Sequence, residues 1–241
     1  MMNRIGYKWW VHLRLMKDPV LRASLPRTVL YSPETFRQML ARHKSLILKP
    51  SGGSQGVGVI LITGREDGSR IAQIHKEVRV FRDTPSLTAW ADAINKRSET
   101  RYLIQQCIPL ARLGGKLFTI RTITQRKPGR PWVLTGWVAK TAGPGHFITN
   151  SRSGGGVHYV EQALSQSNVR RPSESVLKDL RNLTMQAAQI LGKWEPRQPV
   201  IGFDLGVDTN GHVWMIEANP EPGFGAFRRL DPNMYRRIIQ F

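Results

Sequence analysis

A single cysteine, Cys107, in 241 residues excludes an intrachain disulfide and leaves too few thiolates for a cysteine-rich zinc site. So little cysteine suits a reducing compartment. Long apolar runs are missing as well. No stretch approaches the length needed to cross a bilayer, and the N-terminal Lys8-Trp-Trp-Val-His-Leu-Arg14 is too interrupted by charge for a signal-peptide core. The expectation is a soluble, cytoplasmic chain with no membrane partner. Acidic residues are scarce: 17 Asp and Glu face 36 Lys and Arg, a net charge of +19. That imbalance predicts attraction to anions, whether nucleotide phosphates, an acidic substrate, nucleic acid or an acidic surface. The basic residues are spread along the chain, so nucleic-acid binding rests on charge alone, without a recognised motif. Internal repeats, low-complexity tracts and a clear interdomain linker are also lacking. With 40% hydrophobic and 22% charged residues, the chain is long enough for a sizeable core in one large domain or two small lobes.

Two common phosphate-binding motifs are absent too. The glycine-rich run Ser51-Gly-Gly-Ser-Gln-Gly-Val-Gly58 lies between the apolar segments Ser45-Leu-Ile-Leu-Lys-Pro50 and Val59-Ile-Leu-Ile62, so it joins two strands. A Walker A loop and a Rossmann fingerprint both open a helix, and neither fits here. What remains is a strand-loop-strand flap whose backbone N–H groups can fold over phosphates, with Lys49 aimed at the same charge. A plain glycine-rich hairpin would read the same way.

The stretch Gly202 to Asn219 reads as a β-hairpin. Asn210-Gly211 favours a type I′ turn, because both residues tolerate positive φ. Setting Thr209 opposite His212 places Asp204 opposite Glu217 and Gly202 opposite Asn219. Alternation then assigns Phe203, Leu205, Val207, Trp214, Ile216 and Ala218 to a core face. The other face carries Asp204, Glu217 and Asn219 with Gly202, Gly206, Val213 and Met215. Carboxylates paired across strands sit roughly 5 Å apart, where their repulsion is about 3 kcal/mol at an effective dielectric near 20. A cation between them reverses that sign, and Asn219 adds a neutral oxygen ligand of the kind magnesium accepts. A solvated acidic face is the alternative.

Elsewhere the pattern is scaffold. Residues 1 to 30 suggest a helix leading into an extended segment, and Ser32-Pro33 caps a helix ending near His43. Residues 70 to 82 read as strand, Thr84-Pro85 starts a helix, and Tyr102 to Ile108 is a strand. Leu117 to Gln125 and Trp132 to Lys140 pair around Pro128-Gly129, with Arg121 in mid-strand. A polar glycine cluster runs from Thr149 to Gly156. Pro172-Ser173 opens a long amphipathic helix closed by Gly192, and Asp231-Pro232 starts a last short one.

A flap lysine and glycine loop early, a strand arginine in the middle and an Asp…Glu-x-Asn hairpin late together resemble the ATP-grasp fold. More narrowly, Leu48-Lys-Pro-Ser-Gly-Gly-Ser-Gln-Gly-Val-Gly-Val59, Tyr102-Leu-Ile-Gln-Gln106, Thr149-Asn150 with Gly154-Gly155, and Trp214-Met-Ile-Glu-Ala-Asn219 resemble the YheC/YheD family of endospore coat-associated ATP-grasp proteins. The likeness runs nearly end to end. It implies an α+β fold of two lobes gripping nucleotide between them, all within 1–241. A smaller flap-bearing lobe would cover approximately 25–108 and a larger lobe with the metal-binding hairpin 109–241, with no domain ahead of them.

The resemblance implies ATP and Mg2+ as cofactors and gives the residues roles. Lys8 and Lys49 would contact phosphates, with Ser51, Gly52, Gly53, Ser54, Gln55, Gly56 and Gly58 closing over them. Gln105, Gln106, Cys107 and Ile108 would form the adenine hinge, with Cys107 no nucleophile. Arg121 and Lys140 would be catalytic, meeting the γ-phosphate or a substrate carboxylate. Asp204, Glu217 and Asn219 would hold magnesium. The family usually has an aspartate two residues before the strand arginine, and Thr119 stands there instead, so a carboxylate to orient Arg121 is expected to be missing. The implied function is an ATP-dependent carboxylate-amine ligase working through an acyl phosphate on an unidentified acidic acceptor. The alternative is a non-enzymatic nucleotide-binding protein with spore-coat partners and a place at the endospore coat.

Overall fold

The structure, a computed structural model, describes residues 7–54, 56–147, 149 and 154–241. The chain divides into two compact units: a smaller one of Pro26–Cys107 with Gly145–Phe147, and a larger one of the rest.

In the smaller unit, strands β1 (Thr28–Leu30), β2 (Ser45–Pro50), β3 (Ile60–Gly64), β4 (Arg70–Ile74), β5 (Glu77–Phe81) and β6 (Tyr102–Gln106) form a six-stranded sheet in the order β1-β6-β2-β3-β4-β5. Every neighbouring pair is antiparallel. The expected strand over residues 70 to 82 is two strands, because His75 takes a positive φ of 52° and reverses the chain there. Helix α3 (Pro33–Arg42) begins in a reciprocal cap, with the Ser32 hydroxyl accepting from Thr35 N–H at 3.0 Å and Thr35 Oγ1 accepting from Ser32 N–H at 2.9 Å. Phe36, Met39 and Leu40 of α3 join Leu87 and Ala91 of α4 (Thr84–Arg97) in a core that also takes Leu46, Leu48, Ile60 and Ile62 from the sheet.

The larger unit has a sheet ordered β10-β9-β8-β11-β12, made of β8 (Lys116–Gln125), β9 (Val133–Thr141), β10 (Val157–His158), β11 (Val200–Val207) and β12 (Val213–Asn219), with β7 (Arg112–Leu113) added to β8. Helices α1 (Lys8–Leu15), α2 (Pro19–Ala23), α5 (Val160–Ser165) and α6 (Ser173–Trp194) contribute Val11, Leu21, Val160, Leu180 and Leu191 to one core against Phe118, Ile120, Phe203 and Leu205. Helices α7 (Gly225–Leu230) and α8 (Pro232–Ile239) pack Phe227 and Ile238 against Ile123 and Val138 in a separate cluster. Alternation along β8 therefore sends Phe118 and Ile120 to one side and Thr119, Arg121 and Ile123 to the other.

Gly192 does not end α6, which continues to Trp194. A methyl at Gly192 would sit 2.8 Å from Trp132 Cε2, so the glycine permits close helix-to-ring packing rather than a C-terminal cap. In an exposed helix interior glycine-to-alanine is stabilising by about 1 kcal/mol. Here the overlap reverses the sign, and Gly192→Ala is expected to destabilise the chain by about 1–3 kcal/mol. The urea midpoint with an unchanged m-value checks this.

Candidate functional site

The hairpin of β11 and β12 turns one residue earlier than its sequence suggests. Asp208 N–H donates to His212 C=O at 3.1 Å and Gly211 alone in the loop has a positive φ, 82°, so Thr209-Asn210-Gly211 form a three-residue loop rather than a type I′ turn. Asp208 determines this. Its Oδ1 accepts from Asn210 N–H at 2.9 Å and His212 N–H at 3.1 Å, and its Oδ2 accepts from Trp214 Nε1 at 3.0 Å. An aspartate two residues before the asparagine is an Asx-turn signal legible in the sequence. A register shift between Asp204 and Leu205 then absorbs the extra residue, Ile216. Beyond it Asp204 stands opposite Glu217 and Gly202 opposite Asn219, as the sequence predicts. Before it the faces exchange. Val213 and Met215 are buried in the core while Trp214 pairs with Gly206 on the other side, because a one-residue slip inverts every side chain along a strand.

One row across this sheet carries Arg121, Asp204 and Glu217 as direct neighbours. The Arg121 guanidinium grips Asp204 in two bonds, Nε to Oδ1 at 2.9 Å and Nη2 to Oδ2 at 2.6 Å. Lys140, opposite Thr119 on β9, adds its Nζ to Oδ1 at 3.0 Å. Lys8, the first residue of α1, places Nζ 3.6 Å from Glu217 Oε1. The expected lack of a carboxylate for Arg121 is thus corrected: Asp204, on the neighbouring strand, orients it. Thr119 Oγ1 instead meets Thr149 Oγ1 in a short hydrogen bond. The repulsion expected between Asp204 and Glu217 is offset by these three cations.

Burial alone would raise the proton affinity of Asp204, but Arg121 and Lys140 outweigh it and hold the carboxyl well below the usual range. Lys140 is pushed below its ordinary value by burial, and by Arg121 against the pull of Asp204. Arg121 is desolvated too, yet Asp204 and Glu217 raise its proton affinity. Asp204 and Arg121 therefore carry full charge near neutrality.

The donor set suits a hard cation. Among the described residues no three His, Cys, Asp or Glu side chains cluster to hold a metal by themselves. Asp204 and Glu217 with the Asn219 amide are oxygen donors of the kind magnesium takes when phosphates or water complete its shell. Asn219 Oδ1 accepts from Glu221 N–H at 2.9 Å and retains a second lone pair. Asp204 would have to yield one of its cationic partners to bind a metal.

In the smaller unit, Lys49 is 5% exposed and donates from Nζ to Gln105 Oε1 at 2.9 Å. Gln105 Nε2 continues to Thr28 Oγ1 at 2.9 Å, and that hydroxyl donates to Pro26 C=O at 2.8 Å. The glycine loop is anchored at its base. Ser51 N–H donates to Arg101 C=O at 2.9 Å, Gly52 N–H to Thr100 Oγ1 at 3.2 Å, and Tyr102 Oη to Gly58 C=O at 3.0 Å. Gly53, Gly56 and Gly58 all have positive φ, while Ser54 is exposed and Gln55 lies outside the described residues. Gln106 Oε1 accepts from Arg27 N–H at 3.4 Å, and Cys107 N–H donates to Ser45 C=O at 3.2 Å. Burial pushes the Cys107 thiol up to about 11, which leaves it inert as a nucleophile at neutral pH. Ile108 opens the second segment of the larger unit, and its C=O accepts from Leu110 N–H at 2.8 Å.

The cluster predicts unequal losses. Asp204→Asn removes the countercharge of two buried cations and is expected to cost about 3 kcal/mol or more. Glu217→Gln relaxes one longer contact and should cost under about 1 kcal/mol. Urea unfolding of both variants at pH 7 measures the difference.

Comparison with known proteins agrees with this architecture. A family model described as YheC/D like ATP-grasp matches residues 1–241. The endospore coat-associated protein YheD of Bacillus subtilis (strain 168) is 30% identical over 235 residues, covering 95% of this chain and 50% of that protein. Endospore coat-associated protein YheC of the same organism is 23% identical over 235 residues, covering 96% of this chain and 64% of that protein. The chain thus spans about half to two thirds of the length of these relatives. Among solved structures, the C-terminal domain of K. lactis Pby1, an ATP-grasp enzyme interacting with the mRNA decapping enzyme Dcp2, aligns with a TM-score of 0.56 and 16% identity over 98% of this chain and 71% of that one. That likeness supports the fold alone. No helix among the described residues is long and apolar enough to cross a membrane. By its match along the full length, this chain belongs to the YheC/D-like ATP-grasp family.

Proposed function

We propose that this protein binds Mg-ATP and acts as an ATP-dependent carboxylate-amine ligase on an unidentified acidic acceptor. The observation that carries the reading is the Asp204 carboxylate clasped by Arg121 and Lys140 with Glu217 directly opposite. Cations and oxygen donors so interleaved on one sheet face suit a phosphoryl group and a metal together. Magnesium, when bound by Asp204, Glu217 and Asn219, would neutralise charge on the transferring phosphoryl group.

The chemistry balances as two displacements. An acceptor carboxylate oxygen attacks the γ-phosphorus and ADP leaves with the electron pair of the broken bond. An amine then attacks the acyl carbon, inorganic phosphate departs, and the amine nitrogen loses a proton. In this reading Arg121 and Lys140 exchange Asp204 for the γ-phosphate or the acceptor carboxylate. The buried position of both bases strengthens their hold on an anion, since water competes poorly there. Lys49 and the 51–58 loop take phosphate oxygens, and residues 105–108 take the adenine, with Cys107 contributing backbone rather than thiolate.

A second reading, a non-enzymatic nucleotide-binding protein partnered with spore-coat proteins, is favoured by one observation. Both Asp204 oxygens already accept from cations, a closed arrangement that holds the sheet without ligand. The names of the relatives carry the partner and the place, the endospore coat.

Two measurements test these readings. Lys49→Ala is expected to weaken ATP far more than AMP, because the lysine is assigned to the β/γ side of the chain; calorimetry with both nucleotides should show unequal losses, and equal ones would displace Lys49 from that role. The ligase reading predicts ADP release with Mg-ATP and a panel of carboxylates, an acyl hydroxamate on adding hydroxylamine, and a drop of about 100-fold or more in turnover for Arg121→Ala. Tight Mg-ATP binding with no ADP release across a broad acid and amine panel selects the binding module instead.

A further inference from the structure

An open cleft of about 330 Å3 in the smaller unit is lined by Arg42, His43, Lys44, Arg65 and Arg70, with Glu66 as the one acidic group. Three segments bring them together: the C-terminal end of α3, the residue ahead of β2, and the turn between β3 and β4 with the first residue of β4. The platform is fixed. Asp67 Oδ1 accepts from Ser69 N–H at 2.9 Å and from the Ser69 hydroxyl at 2.6 Å, and Arg65 N–H donates to Ser69 C=O at 2.8 Å. Arg70 Nη2 donates to Leu40 C=O at 2.9 Å, where it offsets the negative end of α3.

That role accounts for one nitrogen and no more. Arg70 Nη1 and His43 Nε2 are buried without a hydrogen-bond partner, two of only three such side-chain atoms among the described residues. Leaving buried polar atoms unpaired costs stability, and so does gathering four permanent cations around one carboxylate. An anion in the cleft would offset that charge excess.

We propose that this cleft is a second anion site, distinct from the residues assigned to ATP, that takes a small molecule bearing a phosphate group and a hydroxyl or amino donor. A phosphate dianion matches the charge excess and the planar forks of Arg42, Arg65 and Arg70 better than a single carboxylate does. The volume exceeds that of a bare phosphate and lies at the lower end of small-molecule pockets, about 300–1,000 Å3. Glu66 repels a second phosphate and accepts from a donor on the ligand body. The cleft is also remote from the flap lysine. Lys44 immediately precedes β2 and Lys49 lies near its far end, about 17 Å away along an extended strand.

His43 is a built-in reporter, because burial, Arg27 and Arg42 hold its proton affinity below the ordinary value. A bound dianion opposes that and should move its titration upward. In the full chain, NMR of the His43 ring is followed during titration with glycerol 3-phosphate, inorganic phosphate, and sodium chloride at matched ionic strength. The expected result is a saturable shift, tighter for glycerol 3-phosphate than for inorganic phosphate, and weakened at least about tenfold in Arg65→Ala, the loss of one charge-assisted contact. Arg65 and Lys44 are exposed, so Lys44→Glu serves as an independent second variant with the same expected direction. In Lys49→Ala the response should be unchanged. A His43 signal that tracks phosphate no differently from chloride, or a response lost in Lys49→Ala, overturns the proposal.

Discussion

Two strongly charged partners on neighbouring strands set the constraint on which the larger unit depends. Arg121 and Asp204 are directly opposite in β8 and β11, bonded twice, and Lys140 reaches the same carboxylate from β9. Each group is largely removed from water, so none is tolerable alone. The pairing therefore ties three adjacent strands in one register, and Glu217 with Lys8 extends it to β12 and α1. A slip of one residue in any strand would bury an unpaired charge, a stronger penalty than an apolar mismatch would give.

The same arrangement is the one on which the proposed function rests. A carboxylate held by cations and a second carboxylate opposite it present both signs of charge on one face. The interior on the other side of the sheet, Phe118, Ile120, Phe203 and Leu205 against α6, holds the strands in place. In the smaller unit the equivalent device is uncharged at its far end: Lys49 is tied to Gln105 and Gln105 to Thr28, a chain of polar side chains that positions a buried ammonium beside the glycine loop. Burial makes that ammonium a strong hydrogen-bond donor because little water screens it.

The net charge of +19 is not concentrated in these positions. In the larger unit's cluster the cations are nearly balanced by carboxylates, whereas the cleft beside α3 is not, with Glu66 alone facing Arg42, Lys44, Arg65 and Arg70. Formal charge thus points less directly at a site than the local balance between neighbours does.

What the sequence by itself determined were the features set by contacts a few residues apart. Ser32 and Thr35 cap α3 reciprocally, the glycine loop joins two strands, α6 follows its apolar spacing, and Asp204 falls opposite Glu217. Family membership was legible for the same reason, since its motifs are short and contiguous. The tertiary structure decided what depends on distant segments or on a single residue of register. The three-residue loop and the Ile216 irregularity cancel at Asp204, so the pairing of Asp204 with Glu217 came out as expected while the faces near the turn were exchanged. Gly192 reads locally as a helix terminator, and only the Trp132 ring from a distant segment explains it as a packing glycine. Arg121 had no orienting carboxylate within its own strand. Asp204 lies 83 positions away in sequence, and nothing but the alignment of β8 against β11 brings the two charges together.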